Sequence, residues 1–175
     1  MKVTILGSGA YGIALALMFN ENKCDITLWE KFEEHAKQLR ETRINDRVLP
    51  NVLIPKNIKI MSDLEESIKN SELIVIAIPA GFVDEVAAEL SKYIKKGQHI
   101  CIATKGIEQD TCLFIDDVVQ KYIKTKNIAA ISGPSFAVDI ANHVPIGLTL
   151  ATKNKKTAAL LHQGLENKTL KLRDT

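Results

Sequence analysis

The hexapeptide Gly7-Ser8-Gly9-Ala10-Tyr11-Gly12 constrains the fold more than any other part of the chain. It fits G-x-G-x-x-G, in which one glycine makes a tight turn, a second lets backbone approach a pyrophosphate and a third lets a helix pack closely on a strand. By itself the hexapeptide is weak evidence. Here it follows the β-branched run Lys2-Val3-Thr4-Ile5-Leu6 and opens Tyr11 to Asn22, where Ala, Leu and Met recur at helical spacing. The next run, Asp25-Ile26-Thr27-Leu28-Trp29, ends at the acidic Glu30, 18 positions after Gly12. Strand, glycine turn, helix, strand and acid in that order describe a dinucleotide-binding βαβ unit.

The same rhythm continues to the end of the chain. Helical stretches are expected at 32–42, 63–69, 82–93, 112–123, 135–142 and 155–166, and strands at 58–60, 73–78, 100–103, 128–131, 145–151 and 169–172. Leu73 to Ile78 is continuously apolar, as a strand covered on both faces must be. Between 43 and 57 Pro50 and Pro55 interrupt any period, so a long loop is expected, with Val48, Leu49, Val52 and Leu53 packed on the body. No linker or repeat divides the 175 residues, which predicts a single domain over 1–175 with an α/β, doubly wound, mainly parallel Rossmann-type sheet and helices on both faces.

Composition closes off other classes. With 46% apolar residues at this length, a chain builds a core without disulfide or metal staples. Lys plus Arg number 23 against 21 Asp plus Glu, leaving +2 with the signs interspersed and no footprint for nucleic acid or anionic lipid. The uncharged stretch 3–20 resembles a leader or membrane span at first sight, but its three glycines and the lack of an A-x-A site argue against both, so a cytoplasmic protein is expected. Cys24, Cys101 and Cys112 share no C-x-x-C spacing and read as small core residues; with four scattered histidines, no metal site is expected.

In an open α/β sheet, ligands gather outside the carboxyl ends of the strands. Five loops converge there. Gly7, Gly9 and Gly12 shape the first, where helix N–H groups and a positive dipole end suit phosphates. Glu30 can accept from the adenosine ribose hydroxyls and would repel a 2′-phosphate, which favours NAD over NADP; Lys31 beside it could swing onto that phosphate or be a plain surface charge. Pro79 ends its strand, and Ala80-Gly81 leave room for a nicotinamide ribose or form an ordinary turn. Lys105, in Thr104-Lys105-Gly106, can hydrogen-bond a hydroxyl or phosphate oxygen. In Gly133-Pro134-Ser135 the hydroxyl stands where it can cap a helix, and the backbone N–H groups can hold an anion.

Together these segments resemble the N-terminal half of bacterial-type NAD(P)-dependent glycerol-3-phosphate dehydrogenases. Gly-Ser-Gly-Ala-Tyr-Gly at 7–12 is similar to the family's fingerprint, Arg43-Ile44-Asn45 through Pro55 to its leucine-proline loop, and Ala77-Ile78-Pro79 to its A-V-P-S segment. Thr104-Lys105-Gly106-Ile107-Glu108 and Gly133-Pro134-Ser135-Phe136-Ala137 resemble its S-K-G-I-E and G-P-S-F-A signatures and are the most specific. The resemblance implies an oxidoreductase of phospholipid synthesis that interconverts sn-glycerol 3-phosphate and dihydroxyacetone phosphate, with NAD or NADP as cofactor. It implies that Ala10, Tyr11, Lys31, Lys105 and Ala137 contact cofactor and that Lys105, Gly133 and Ser135 contact the small-molecule substrate. Glu30-Lys31 departs from the small residue and Arg common in the family. The family's all-helical C-terminal domain, which carries the proposed general acid/base lysine, has no counterpart here, so the chain is expected to be the cofactor-binding part and inactive alone, with a homodimer conceivable at full length. Another dehydrogenase of related fold, of ketopantoate or hydroxyacid type, and a non-catalytic nucleotide-binding module are the alternatives.

Overall fold

A computed structural model describes residues 1–175. Eight strands form one sheet: β1 (Lys2–Leu6), β2 (Asp25–Trp29), β3 (Lys59–Met61), β4 (Leu73–Ile76), β5 (His99–Ile102), β6 (Ile128–Ser132), β7 (Ile146–Ala151) and β8 (Leu170–Asp174), in the order β3-β2-β1-β4-β5-β6-β7-β8. Every pairing is parallel except that of β6 with β7. The expected mainly parallel doubly wound sheet is therefore present, and the chain reverses its direction of travel between β1 and β4, where such sheets open a crevice.

Seven helices cover the sheet: α1 (Ala10–Glu21), α2 (Glu33–Thr42), α3 (Leu64–Ile68), α4 (Val83–Leu90), α5 (Ile115–Tyr122), α6 (Ala137–Ala141) and α7 (Lys155–Leu165). One face carries α1, α2, α6 and α7 on Val3, Ile5, Ile26, Leu28 and Leu148; the other carries α3, α4 and α5 on Leu6, Ile74, Ile76, Ile100 and Ile102. Alternate strand residues point to opposite faces, so β4 and β5, buried throughout, are apolar at every position but His99, whose Nδ1 pairs with the Thr157 hydroxyl at 2.7 Å. Helix α1 is enclosed, with Ile13, Leu15 and Phe19 fully buried between the sheet, α6 and α7. Gly164 permits the last of these approaches, since a Cβ there would stand 2.5 Å from the Phe19 ring.

Three expectations need correction. Val48 and Leu53 are 43% and 64% exposed instead of packed; the loop is held by Asn45, whose carbonyl accepts from the Val48 and Leu49 N–H groups, Leu49 is buried as expected, and Ile54 fills the core beside it. Cys112 is exposed on a turn at φ 55°, whereas Cys24 and Cys101 are buried as expected. Ser135 does not cap a helix: its N–H turns back to the Gly133 carbonyl, and α6 starts two residues later with Phe136 as its flanking residue.

Candidate dinucleotide and substrate site

The fingerprint loop is shaped by what cannot fit in it. Gly7 has φ 115°, and a Cβ there would lie 2.7 Å from the Ala77 carbonyl oxygen at the end of β4. A Cβ on Gly12 would overlap the Gly7 carbonyl oxygen. These two glycines are needed by the protein's own packing. Gly9 differs: its φ is an ordinary −69°, and a Cβ there would meet nothing within 4 Å. Gly9 also precedes the first turn of α1, whose N–H groups receive no side-chain cap and face no acidic residue. A glycine that the fold does not require, set over uncapped donors at a positive dipole end, fits a pyrophosphate.

Beside this loop lies a cavity of about 210 Å³ lined by Gly7, Ser8, Gly9, Trp29, Glu30, Lys31, Phe32, Ala77, Ile78, Pro79, Phe82 and Val86. Phe32 and Phe82 are 66% and 55% exposed at its rim. Glu30 is nearly buried and fixed on three sides: one oxygen accepts from the Ser8 hydroxyl and lies 3.1 Å from His35 Nδ1, and the other accepts from the Phe32 N–H at 3.1 Å. A carboxylate has about four acceptor positions, so one remains for a ligand hydroxyl. Lys31, by contrast, turns to α4, where its ammonium donates to both Glu85 oxygens at 2.7 and 2.8 Å. Asn45 supports the loop from outside, donating to the Ser8 carbonyl at 3.0 Å.

A second group forms at the ends of β5 and β6. Lys105 Nζ donates to the Ser135 carbonyl at 2.8 Å and stands 4.7 Å from the centre of the Tyr11 ring. Burial raises the Tyr11 phenol above its ordinary pKa, and the nearby Ser135 hydroxyl partly opposes the rise. Ser135 is 2% exposed, and its Oγ has no hydrogen-bond partner of good geometry. A buried hydroxyl left unpaired costs free energy unless a ligand completes it.

The loop that bears Lys105 is tied by Glu108. The Thr111 hydroxyl and then the Asp110 and Thr111 N–H groups all donate to its carboxylate, holding it down to about pKa 2. Thr104 donates to the Ile78 carbonyl at 3.0 Å and joins this loop to the end of β4.

The structure thus brings Gly7, Gly9, Glu30, Lys31 and Pro79 around one cavity and Tyr11, Lys105 and Ser135 into one cluster, both at the carboxyl ends of the strands. Gly133 is explained by packing, since a Cβ there would lie 2.9 Å from the Gly147 carbonyl. Ala10 and Ala137 open α1 and α6, which pack together. Sequence reasoning missed His35, Asn45 and Glu85, because each acts through a partner distant in the chain. A larger cavity, about 900 Å³, opens at the amino end of β6 beside Asp116 and Lys126 and contains none of the residues singled out above. No three His, Cys, Asp or Glu side chains gather as a metal site would require, and no helix is long and apolar enough to cross a membrane.

Residues 2–158 match the family model described as NAD-dependent glycerol-3-phosphate dehydrogenase N-terminus. The chain is 33% identical over 163 residues to glycerol-3-phosphate dehydrogenase [NAD(P)+] of Fusobacterium nucleatum, covering 92% of this chain and 49% of that protein. Against the enzyme of the same name from Agathobacter rectalis it is 31% identical over 171 residues, 98% of this chain and 51% of the other. The crystal structure of glycerol-3-phosphate dehydrogenase from Coxiella burnetii superposes with a TM-score of 0.92 at 27% identity, covering 99% of this chain and 53% of that one. The chain spans about half the length of the relatives it matches.

Proposed function

Because the chain belongs to the NAD-dependent glycerol-3-phosphate dehydrogenase family through that family's N-terminal domain, we propose that residues 1–175 are the cofactor-binding part of an enzyme interconverting sn-glycerol 3-phosphate and dihydroxyacetone phosphate. NAD or NADP is the cofactor. The observation that carries this reading is Gly9, open to solvent above an uncapped helix start while Gly7 and Gly12 are closed by packing.

Each residue then has a task. Gly7, Gly9 and Gly12 shape the turn, and the N–H groups of Ala10 and Tyr11 are offered to the pyrophosphate. Glu30 accepts from the adenosine ribose through its remaining acceptor position, which favours NAD. Pro79 and Ala137 border the passage toward the nicotinamide. When bound, the dinucleotide supplies the hydride chemistry at its nicotinamide. Lys105 offers its ammonium to the substrate phosphate or hydroxyl, and the unpaired Ser135 hydroxyl completes its hydrogen bonding on the same ligand, beside Gly133. This positions the substrate; the groups that move its proton belong to the remainder of the enzyme. The product reaction supplies glycerol phosphate for phospholipid synthesis.

Parallel fluorescence titrations of the 175-residue chain with NADH and NADPH test the reading. Saturable binding with NADH tighter is expected; binding of neither nucleotide would overturn it.

A further inference from the structure

Resting on the dinucleotide reading above, we propose that Glu85 is a specificity-determining residue, which disfavours the 2′-phosphate of NADP by holding the Lys31 ammonium away from the ribose. Lys31 follows Glu30 at the end of β2 and is the one cation lining the 210 Å³ cavity. A 2′-phosphate would have to recruit it. Both oxygens of Glu85 already do so, at 2.7 and 2.8 Å, a geometry that satisfies two of the ammonium's three donors.

The helix that carries Glu85 is itself anchored. Its neighbour Asp84 accepts from the Tyr122 hydroxyl at 2.7 Å and from Lys121 at 3.2 Å on α5, while Val83 and Val86 are buried beneath. Glu85 therefore cannot follow Lys31 if a phosphate pulls it inward. With side-chain exposures of 37% and 61%, the pair adds little to stability, so its consequence lies in where it places the charge.

The charge sum around the ribose decides the sign. Glu30, Lys31 and Glu85 total −1, with His35 alongside Glu30. NAD asks this site only for an acceptor, which Glu30 provides. NADP brings about two further negative charges at neutral pH. It would stand against Glu30, whose oxygens are fixed by Ser8, His35 and the Phe32 N–H, and would leave Glu85 unpaired.

The test compares the Kd ratio of NADPH to NADH in the unaltered chain, Glu85→Gln, Lys31→Met and the double variant. Glu85→Gln should shift the ratio toward NADPH by about fivefold, the full worth of an exposed ion pair. Lys31→Met alone should move it by less than about twofold, and the double variant should lose the gain, as coupled residues do. An unmoved ratio in Glu85→Gln overturns the proposal. So does a gain that survives in the double variant, which would assign the effect to Glu85's own repulsion. Failure of the unaltered chain to bind either nucleotide overturns the underlying reading together with this one, a result distinct from binding with a fixed ratio.

Discussion

The Lys105 ammonium stands 4.7 Å over the centre of the Tyr11 ring. The residue proposed to meet substrate is thereby seated on one in the first turn of α1, and a cation over an aromatic face gains about 0.5–1 kcal/mol at a partly exposed site. Replacing Tyr11 with Phe keeps the face and with Leu removes it. In NMR titrations of the NADH-loaded chain with glycerol 3-phosphate, Tyr11→Leu should weaken binding by roughly two- to fivefold and Tyr11→Phe by less. Lys105→Ala should abolish the shifts around Ser135 while NADH affinity changes little; shifts that persist would remove Lys105 from the substrate site.

Two glycines of one loop should fail in different ways. In Gly12→Ala the new methyl overlaps the Gly7 carbonyl, so backbone must move, costing about 3 kcal/mol and several degrees of Tm. In Gly9→Ala the methyl meets nothing, and Tm should hold within about a degree while NADH binding falls at least tenfold, because the methyl stands where the pyrophosphate must come. Thermal melts and titrations of both variants check this. Equal NADH affinity in Gly9→Ala and the unaltered chain would contradict the phosphate assignment.

Glu30→Gln should weaken NADH and bring the NADH and NADPH affinities closer together. The amide keeps the shape but exchanges an acceptor oxygen for a donor, so one of its links to Ser8, His35 or Phe32 is lost together with the charge. An unaltered affinity ratio would separate Glu30 from the ribose.

His162 links the last helix to the last strand, with Nε2 2.8 Å from Asp174 and Nδ1 3.1 Å from Glu166. Asp174 first, then Glu166, raise its pKa above 6.5. A histidine whose folded pKa is raised contributes stability that is complete below the unfolded value and lost as pH climbs through the folded one. The Tm difference between the unaltered chain and His162→Gln should therefore be largest below about pH 6.5, a degree or two, and shrink as pH rises above it. Buried His99 works the other way, its pKa lowered by burial, which is why the difference between chains and not the raw Tm carries the test. A gap that widens with pH would contradict the assignment.

Of the three thiols, only Cys112 is exposed. Burial raises the Cys24 and Cys101 thiols. Native labelling with a thiol reagent should give one fast equivalent that disappears in Cys112→Ser, with the other two reacting only on unfolding. Three fast equivalents would show that the core opens.

All eight strands and seven helices were legible from periodicity and turn residues, because each answers to local sequence. Their ends were less so. Leu73 to Ile78 reads as one run, yet β4 ends at Ile76 where the backbone heads for Pro79. The helix expected from Cys112 begins at Ile115, since Cys112 takes a left-handed conformation that no helix admits. At the candidate site, the glycines, Glu30 and Lys105 were singled out by motif and position, and the fold sets them at the carboxyl ends of the strands. What stayed hidden were the long-range partners: Glu85 lies 54 residues from Lys31, and Asn45 lies 37 from Ser8. No spacing rule encodes such a pair, which exists only once the sheet has set its strands in order.

The enclosure of α1 has a consequence for how the chain is made. The helix that carries the fingerprint is made well before α6 and α7, which cover it and end at residues 141 and 165. Asn22, just past α1, is held by the Gly164 and Glu166 carbonyls, 142 and 144 residues away in sequence. During synthesis Leu15, Met18 and Phe19 must therefore wait, uncovered, until α7 has also been made. A nascent chain in that condition offers a long-lived apolar surface, and chaperone capture is the expected fate of any intermediate that stalls before α7 emerges.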